Sequence, residues 1–176
     1  MPTGNSPRTL FVVFGNASGN PGSWNFVFHY GTDGQTDRTF DLGACLTSSG
    51  GNPASLHMWN TEYLTNVKNG CDGKRYVAAV TYKGVSGSST SNGISFYINS
   101  TYYPNNNAVA RTDGSTGSSA PLTLNTTSND LHIGSRMNGS NPFKGDVGEV
   151  IMFGRRLSDN ERISVENYLK QKWQIQ

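Results

Sequence analysis

Basic residues do not gather anywhere in this chain. The 14 Lys and Arg stand against 12 Asp and Glu, for a formal charge of +2, and no basic run is longer than a pair. A nucleic-acid-binding domain carries a basic stripe or run, so that partner class is set aside. Long apolar runs are missing too, and no stretch approaches the roughly 20 residues of a membrane-spanning helix. The opening "MPTGNSPRTLF" is polar and lacks the apolar core of a secretory signal. Any export address is therefore expected outside this sequence. Cysteine is scarce: Cys45 and Cys71 set no framework, and a single disulfide or two unpaired thiols are equally open readings. His29, His57 and His132 lie far apart, with none of the spacing of a metal motif. No nucleophile elbow and no phosphate loop occurs. Catalysis has no positive support.

Small polar residues take the place that charge leaves. Only 15% of the chain is charged, and Gly, Ser, Thr and Asn fill in, as in many secreted and cell-surface β domains. Four Asn-x-Ser/Thr triplets, at Asn16, Asn99, Asn125 and Asn138, fit that setting, although an Asn-rich chain also produces them by chance. A length of 176 residues with three Trp, eight Tyr and eight Phe supports one domain, residues 1–176, with a sizeable core.

Short apolar runs between turn residues predict strands. They fall at 8–14, 24–31, 38–46, 54–60, 74–84, 93–100, 122–126, 130–137 and 145–157. With no helical segment between them, they predict antiparallel sheets packed face to face. In "GISFYINS" Ile94, Phe96 and Ile98 alternate with Ser95, Tyr97 and Asn99, the pattern of a half-buried strand. Stretches 84–93 and 105–121 are small and polar and read as exposed loops.

The end of the chain breaks the pattern. In "LSDNERISVENYLKQKWQIQ" Ser158 and Glu161 stand at capping-box spacing. Val165, Leu169 and Trp173 recur every four residues, so a C-terminal helix is expected to lay that stripe on the sandwich. Lys170 and Lys172 suit the negative helix end.

The order of these segments resembles the LamG-like branch of the concanavalin A-like lectin and glucanase superfamily. The residues that carry the resemblance are "FHYG" (28–31), "YVAAVTYKG" (76–84), "FYINS" (96–100), "LHIGSR" (131–136) and the closing "FKGDVGEVIMFGRRLSDNER" (143–162). It covers nearly the whole chain and implies an all-β, antiparallel two-sheet jelly-roll sandwich with a C-terminal helix. Members usually carry a further strand ahead of the 8–14 position. The resemblance thus implies a fragment of a longer protein that lacks this first strand, with an open sheet edge or something covering it.

Glucanases of this superfamily use two carboxylates in a pattern like E-x-D-x-x-E, which this chain lacks. Asp146 and Glu149 are nearest, but in a regular strand residues three apart face opposite ways. The expectation is therefore not an enzyme, with Glu149 structural. Jelly rolls of this kind often hold calcium, for which the loops offer Asp33, Asp37, Asp41, Asp72 and Asp113, with Asp33, Asp37 and Asp72 as the tentative ligands; plain Asp-Gly turns are the alternative. Sugar binding needs an aromatic platform beside groups that pair with hydroxyls. The candidates are His57, Trp59, Asn60, Glu62 and Tyr63 in "LHMWNTEYL", with Leu56 and Met58 on the opposite face, and Tyr102 and Tyr103 in "STYYPNNN". A buried, core-forming Trp59 is the competing reading.

Three functions remain in view. The first is a noncatalytic module binding carbohydrate or a surface glycoconjugate, within an extracellular, adhesive or virion-surface protein. A structural domain that self-associates or docks on its parent protein through a sheet edge is the second. A divergent glycoside hydrolase is the third.

Overall fold

The computed structural model describes residues 1–16, 25–35, 38–44, 55–58, 62–64, 72–84, 93–103 and 124–176. Cys45, Cys71, Trp59, Asn60, Asp37 and the two long polar stretches lie wholly or largely outside them. Among the described residues ten strands form two antiparallel five-stranded sheets. The first sheet runs β10 (Gly145–Phe153), β1 (Arg8–Asn16), β6 (Arg75–Tyr82), β7 (Ile94–Ile98), β8 (Thr101–Tyr103). The second runs β5 (Glu62–Leu64), β4 (Ser55–His57), β3 (Asp41–Gly43), β2 (Phe26–Tyr30), β9 (Leu131–Ile133). Among the described residues one α-helix, α1 (Asp159–Trp173), follows β10, and a short 3-10 turn, Met137–Gly139, precedes that strand.

Alternation along the strands builds two cores. Leu10, Val12 and Phe14 of β1 face inward with Phe28, Tyr30, Phe40, Leu42, Leu56, Met58, Val80 and Phe96, and fill the space between the sheets. Phe11 and Val13 face the other way and meet Val77, Ala79, Tyr97 and the helix residue Leu169. Each such side chain, fully buried, contributes about 1.5–3 kcal/mol. β1 is buried on both faces because it lies between β10 and β6 and is covered by a sheet on one side and α1 on the other.

Two expected features differ. The segment 122–126 shows no regular strand among its described residues, only a bridge from Thr126 to Gly4. Conversely, β5 and β8 are not legible as strands in the sequence, being three residues each.

The capping box forms as expected: the Ser158 hydroxyl accepts from the Glu161 N–H, and the Glu161 carboxylate accepts from the Ser158 N–H. Arg155 clamps the same carboxylate at 2.7 and 3.0 Å and holds it well below the usual range, at about 2. The expected stripe of α1 packs on the sheet through Val165, Leu169 and Trp173, and two charged residues are buried beside it. Arg162, Glu166 and Leu169 are buried, whereas Val165 and Trp173 are half-buried. Arg162 pairs with Glu166 and stacks 3.6 Å from the Tyr97 ring centroid.

The face argument for Asp146 and Glu149 is corrected. In the β1–β10 ladder Phe14 pairs with Val147 and Val13 with Glu149, so Gly148 is an extra residue, a β-bulge that resets the alternation. By register Asp146 and Glu149 both fall on the helix side of the sheet.

Candidate functional site

No helix lies over the outer face of the second sheet among the described residues, and register assembles a polar row there, most of it buried. His132 pairs with His29 across β9 and β2. Asp41 pairs with His57 across β3 and β4, and His57 with Glu62 across β4 and β5. Between β2 and β3, Phe28 opposite Leu42 puts His29 opposite Asp41, and their Nδ1 and Oδ1 atoms stand 2.8 Å apart. The row thus crosses all five strands as His132, His29, Asp41, His57 and the backbone position of Glu62.

Local sequence explains the placement. In "FVFHY" Phe28 and Tyr30 point into the core, which sends His29 outward. Tyr30 is followed by Gly31 at φ 114°, where an added Cβ would stand 2.1 Å from the Arg38 carbonyl. Only glycine allows the chain to turn this close to its own return. That turn brings Asp33 to Arg136, whose Nη2 donates to Asp33 at 2.7 Å and to the Oδ2 of Asp41 at 3.4 Å. The guanidinium also lies 4.6 Å from the centroid of Phe26, the residue at the outer start of β2.

His29 and Asp41 are fully buried and His57 nearly so, while Asp33 and His132 are half-exposed. Two carboxylates against one guanidinium leave this group with a formal charge of −1 before any imidazole is protonated. Both ring nitrogens of His29, the Oδ1 of Asp41 and the Ser55 hydroxyl have no hydrogen-bond partner among the described residues. His29 Nδ1 and Asp41 Oδ1 are thus within ion-pair distance without meeting hydrogen-bond geometry.

The expected site residues are divided between the sheets. His57 lies on the outer face, opposite in sense to the core residues Leu56 and Met58. Glu62 holds the register position of His57, whereas Tyr63 holds that of Leu56. Trp59 and Asn60 lie outside the described residues. Tyr102 and Tyr103 are in β8, at the edge of the first sheet. Tyr103 pairs with Phe96 and packs against the inter-sheet core, and Tyr102 is 51% exposed beside Tyr97. These two tyrosines do not join His57.

Of the tentative calcium ligands, Asp33 belongs to the polar row and Asp37 lies outside the described residues. Asp72 sits apart, ahead of β6, and accepts from the Tyr76 hydroxyl at 2.9 Å and from the Lys74 N–H at 3.1 Å. Calcium takes six to eight oxygens. Around Asp33 there are two carboxylates, both engaged by Arg136, and an imidazole nitrogen.

The residue missed at the sequence level is Arg136, and Asp41 is legible there only as a loop calcium candidate, not as a partner of His29 or Arg136. Asp41 reads as one acid in "FDLG" and Arg136 as one base in "IGSR", 95 positions apart, and only the pairing of β2 with both β3 and β9 joins them.

This fold is a two-sheet jelly roll, and solved structures share it. The CBM40 domain of the Ruminococcus gnavus IT-sialidase, bound to α2,6-sialyllactose, is 19% identical with a TM-score of 0.53, over 92% of this chain and 83% of that one. Trypanosoma rangeli sialidase in complex with 2,3-difluorosialic acid matches at 16% identity and TM-score 0.56, over 96% of this chain but 23% of its own. NanB sialidase from Streptococcus pneumoniae matches at 13% identity and TM-score 0.55, over 90% of this chain and 24% of its own. No protein-family model matches the sequence. No curated protein matches it either.

Proposed function

We propose that this chain is a noncatalytic glycan-binding module whose ligand sits on the outer face of the second sheet. One observation carries the reading: the partly exposed His132 and Asp33 stand on that face beside a buried row of imidazole and carboxylate groups held by Arg136, whereas α1 covers the outer face of the first sheet. Hydroxyl-rich ligands are recognised by such convergent polar groups beside aromatic surface. The solved CBM40 domain bound to sialyllactose supports the class of ligand, and sialyllactose is the first glycan to try. In this reading the module is LamG-like and works outside the cell or on a virion, joined to other domains. No helix among the described residues is long and apolar enough to cross a membrane.

Chemistry on the ligand is not part of the proposal. A glycosidase sets one carboxyl group as acid and a second as nucleophile or base on the two sides of a scissile bond. Asp41 is fully buried, and it and Asp33 share one guanidinium. The test is a glycan array followed by calorimetry on the hits, with an assay for released sugar. Saturable binding without release supports the proposal, and turnover removed by Asp33→Asn contradicts it.

A second reading, edge-to-edge assembly, has one observation in its favour. Leu131 and Ile133 share the core-facing side of β9 with their partners Tyr30 and Phe28, yet are 44% and 52% exposed. Light scattering across a concentration series tests it, since a monomer at every concentration removes this reading.

A further inference from the structure

We propose that His29, Asp33 and Asp41 form a binding site for a divalent transition-metal ion of the zinc type. Each offers one ligand atom, and these atoms lie within 4.8 Å of one another. Proximity of acids alone would carry nothing. The second observation is the orphaned polar atoms: His29 is fully buried, neither of its ring nitrogens has a hydrogen-bond partner among the described residues, and neither has the Oδ1 of Asp41. Burying ring nitrogens and a carboxylate oxygen without hydrogen bonds is costly, and an ion is one of the few species that relieves both groups. His29 Nδ1 and Asp41 Oδ1 are 2.8 Å apart without hydrogen-bond alignment, as two donors would be if they converged on a third point rather than on each other. Two ligands of one tetrahedral zinc ion stand roughly 3.3 Å apart, given metal–ligand bonds of about 2.0–2.2 Å, so the pair needs to widen by only about 0.5 Å.

The surroundings match what such an ion requires. One nitrogen and two carboxylates make a three-ligand set that leaves a fourth position open, and imidazole suits zinc far better than it suits calcium. Arg136 reaches the Oδ2 of Asp41 and leaves Oδ1 to the ion. A group that bonds and orients a ligating carboxylate from outside is a regular part of metal sites. The formal charge of −1 on the two carboxylates and the guanidinium is also what a dication offsets. His132, partly exposed, lies beside the cluster with its ring centroid 5.7 Å from that of His29. An ion is small enough to reach groups that a sugar cannot touch directly.

The test uses the whole chain, stripped with a chelator and titrated with Zn²⁺ by calorimetry, with Co²⁺ absorption as a second readout. No glycan is present, so the result does not depend on the proposed ligand class. The expected result is one ion per chain and a Co²⁺ spectrum showing nitrogen and oxygen donors. Asp33→Asn, at a half-exposed position, is expected to weaken binding at least tenfold, while Asp72→Asn leaves it unchanged. Thermal melting of the metal-free variants separates lost binding from lost fold. The proposal is overturned if the stripped protein takes up no stoichiometric ion, or if a folded Asp33→Asn protein binds as the parent does.

Discussion

The indole N–H of Trp173 donates to the Glu149 carboxylate across 3.0 Å, tying the last turn of the helix to the last strand of the sheet. Lys172 meets the same carboxylate at 2.9 Å. These partners, Trp173 first, hold the Glu149 carboxyl below its ordinary range. A carboxylate with a depressed folded-state value adds stability above its unfolded value, and that stability is lost as pH falls through the folded one. Glu149→Gln is therefore expected to be less stable than the parent at pH 7, with the gap closing towards pH 3. Urea unfolding at the two values checks it.

Gly148 is expected to resist any side chain. A Cβ added there would stand 3.0–3.1 Å from three atoms of the Trp173 ring, so Gly148→Ala must displace the ring that Glu149 holds. The expected cost is about 1–3 kcal/mol, the usual range for overpacking. The same substitution with Trp173→Leu is expected to cost less than the sum of the two changes. Urea unfolding of the two single variants and the double variant measures the coupling.

Arg162 and Glu166 form a buried pair under the helix. Burial, the largest influence, pushes the Glu166 carboxyl up. A group with a raised folded-state value is most stabilising at low pH and loses that contribution as pH climbs through the raised value. Removing one partner, as in Glu166→Ala, strands a buried guanidinium and is expected to cost about 3–5 kcal/mol at pH 7. Replacing both with Met and Leu is expected to recover most of that loss. Chemical denaturation of the single and double variants measures the difference.

Arg8 is expected to anchor the amino-terminal segment. It is fully buried, donates to the Gly4 and Ser6 carbonyls and to the Thr126 hydroxyl, and lies near the rings of Phe40 and Tyr82. Burial lowers its pKa to about 10. Arg8→Lys keeps a charge but loses the planar fork, and the expected loss is about 1.5–3 kcal/mol for each charged hydrogen bond not remade. Thermal melting reports it.

Much of this architecture is legible in the sequence because alternation is a strong signal where strands are long. β1, β6, β7 and β10 stand out in this way, as do the helix and its cap, since Ser158 and Glu161 announce themselves locally. The short strands β5 and β8 carry too few residues to show a period. Helix packing is legible in its apolar stripe but not in its charges: an Arg–Glu pair four residues apart reads as a solvated surface pair, and here Glu166 and the Tyr97 ring accompany Arg162 into the interior. The bulge at Gly148 cannot be read, because one inserted residue reverses every face beyond it. Of the site, His57 and Asp33 are candidates from the sequence alone. Asp41 is legible only as a loop calcium candidate and Arg136 not at all, because their meeting depends on sheet order rather than on spacing along the chain.

The central claim, a glycan seat on the outer face of the second sheet, is tested most directly by one calorimetric comparison. The ligand is the strongest array glycan, with sialyllactose included from the start, and the proteins are the parent, His132→Ala and Tyr102→Ala. His132 lies in the polar row and is half-exposed, whereas Tyr102 is exposed at the far edge of the other sheet. The account predicts that His132→Ala weakens binding at least tenfold with its melting temperature little changed, and that Tyr102→Ala binds like the parent. Binding lost through Tyr102 but kept without His132, or no binding to any glycan, would contradict it.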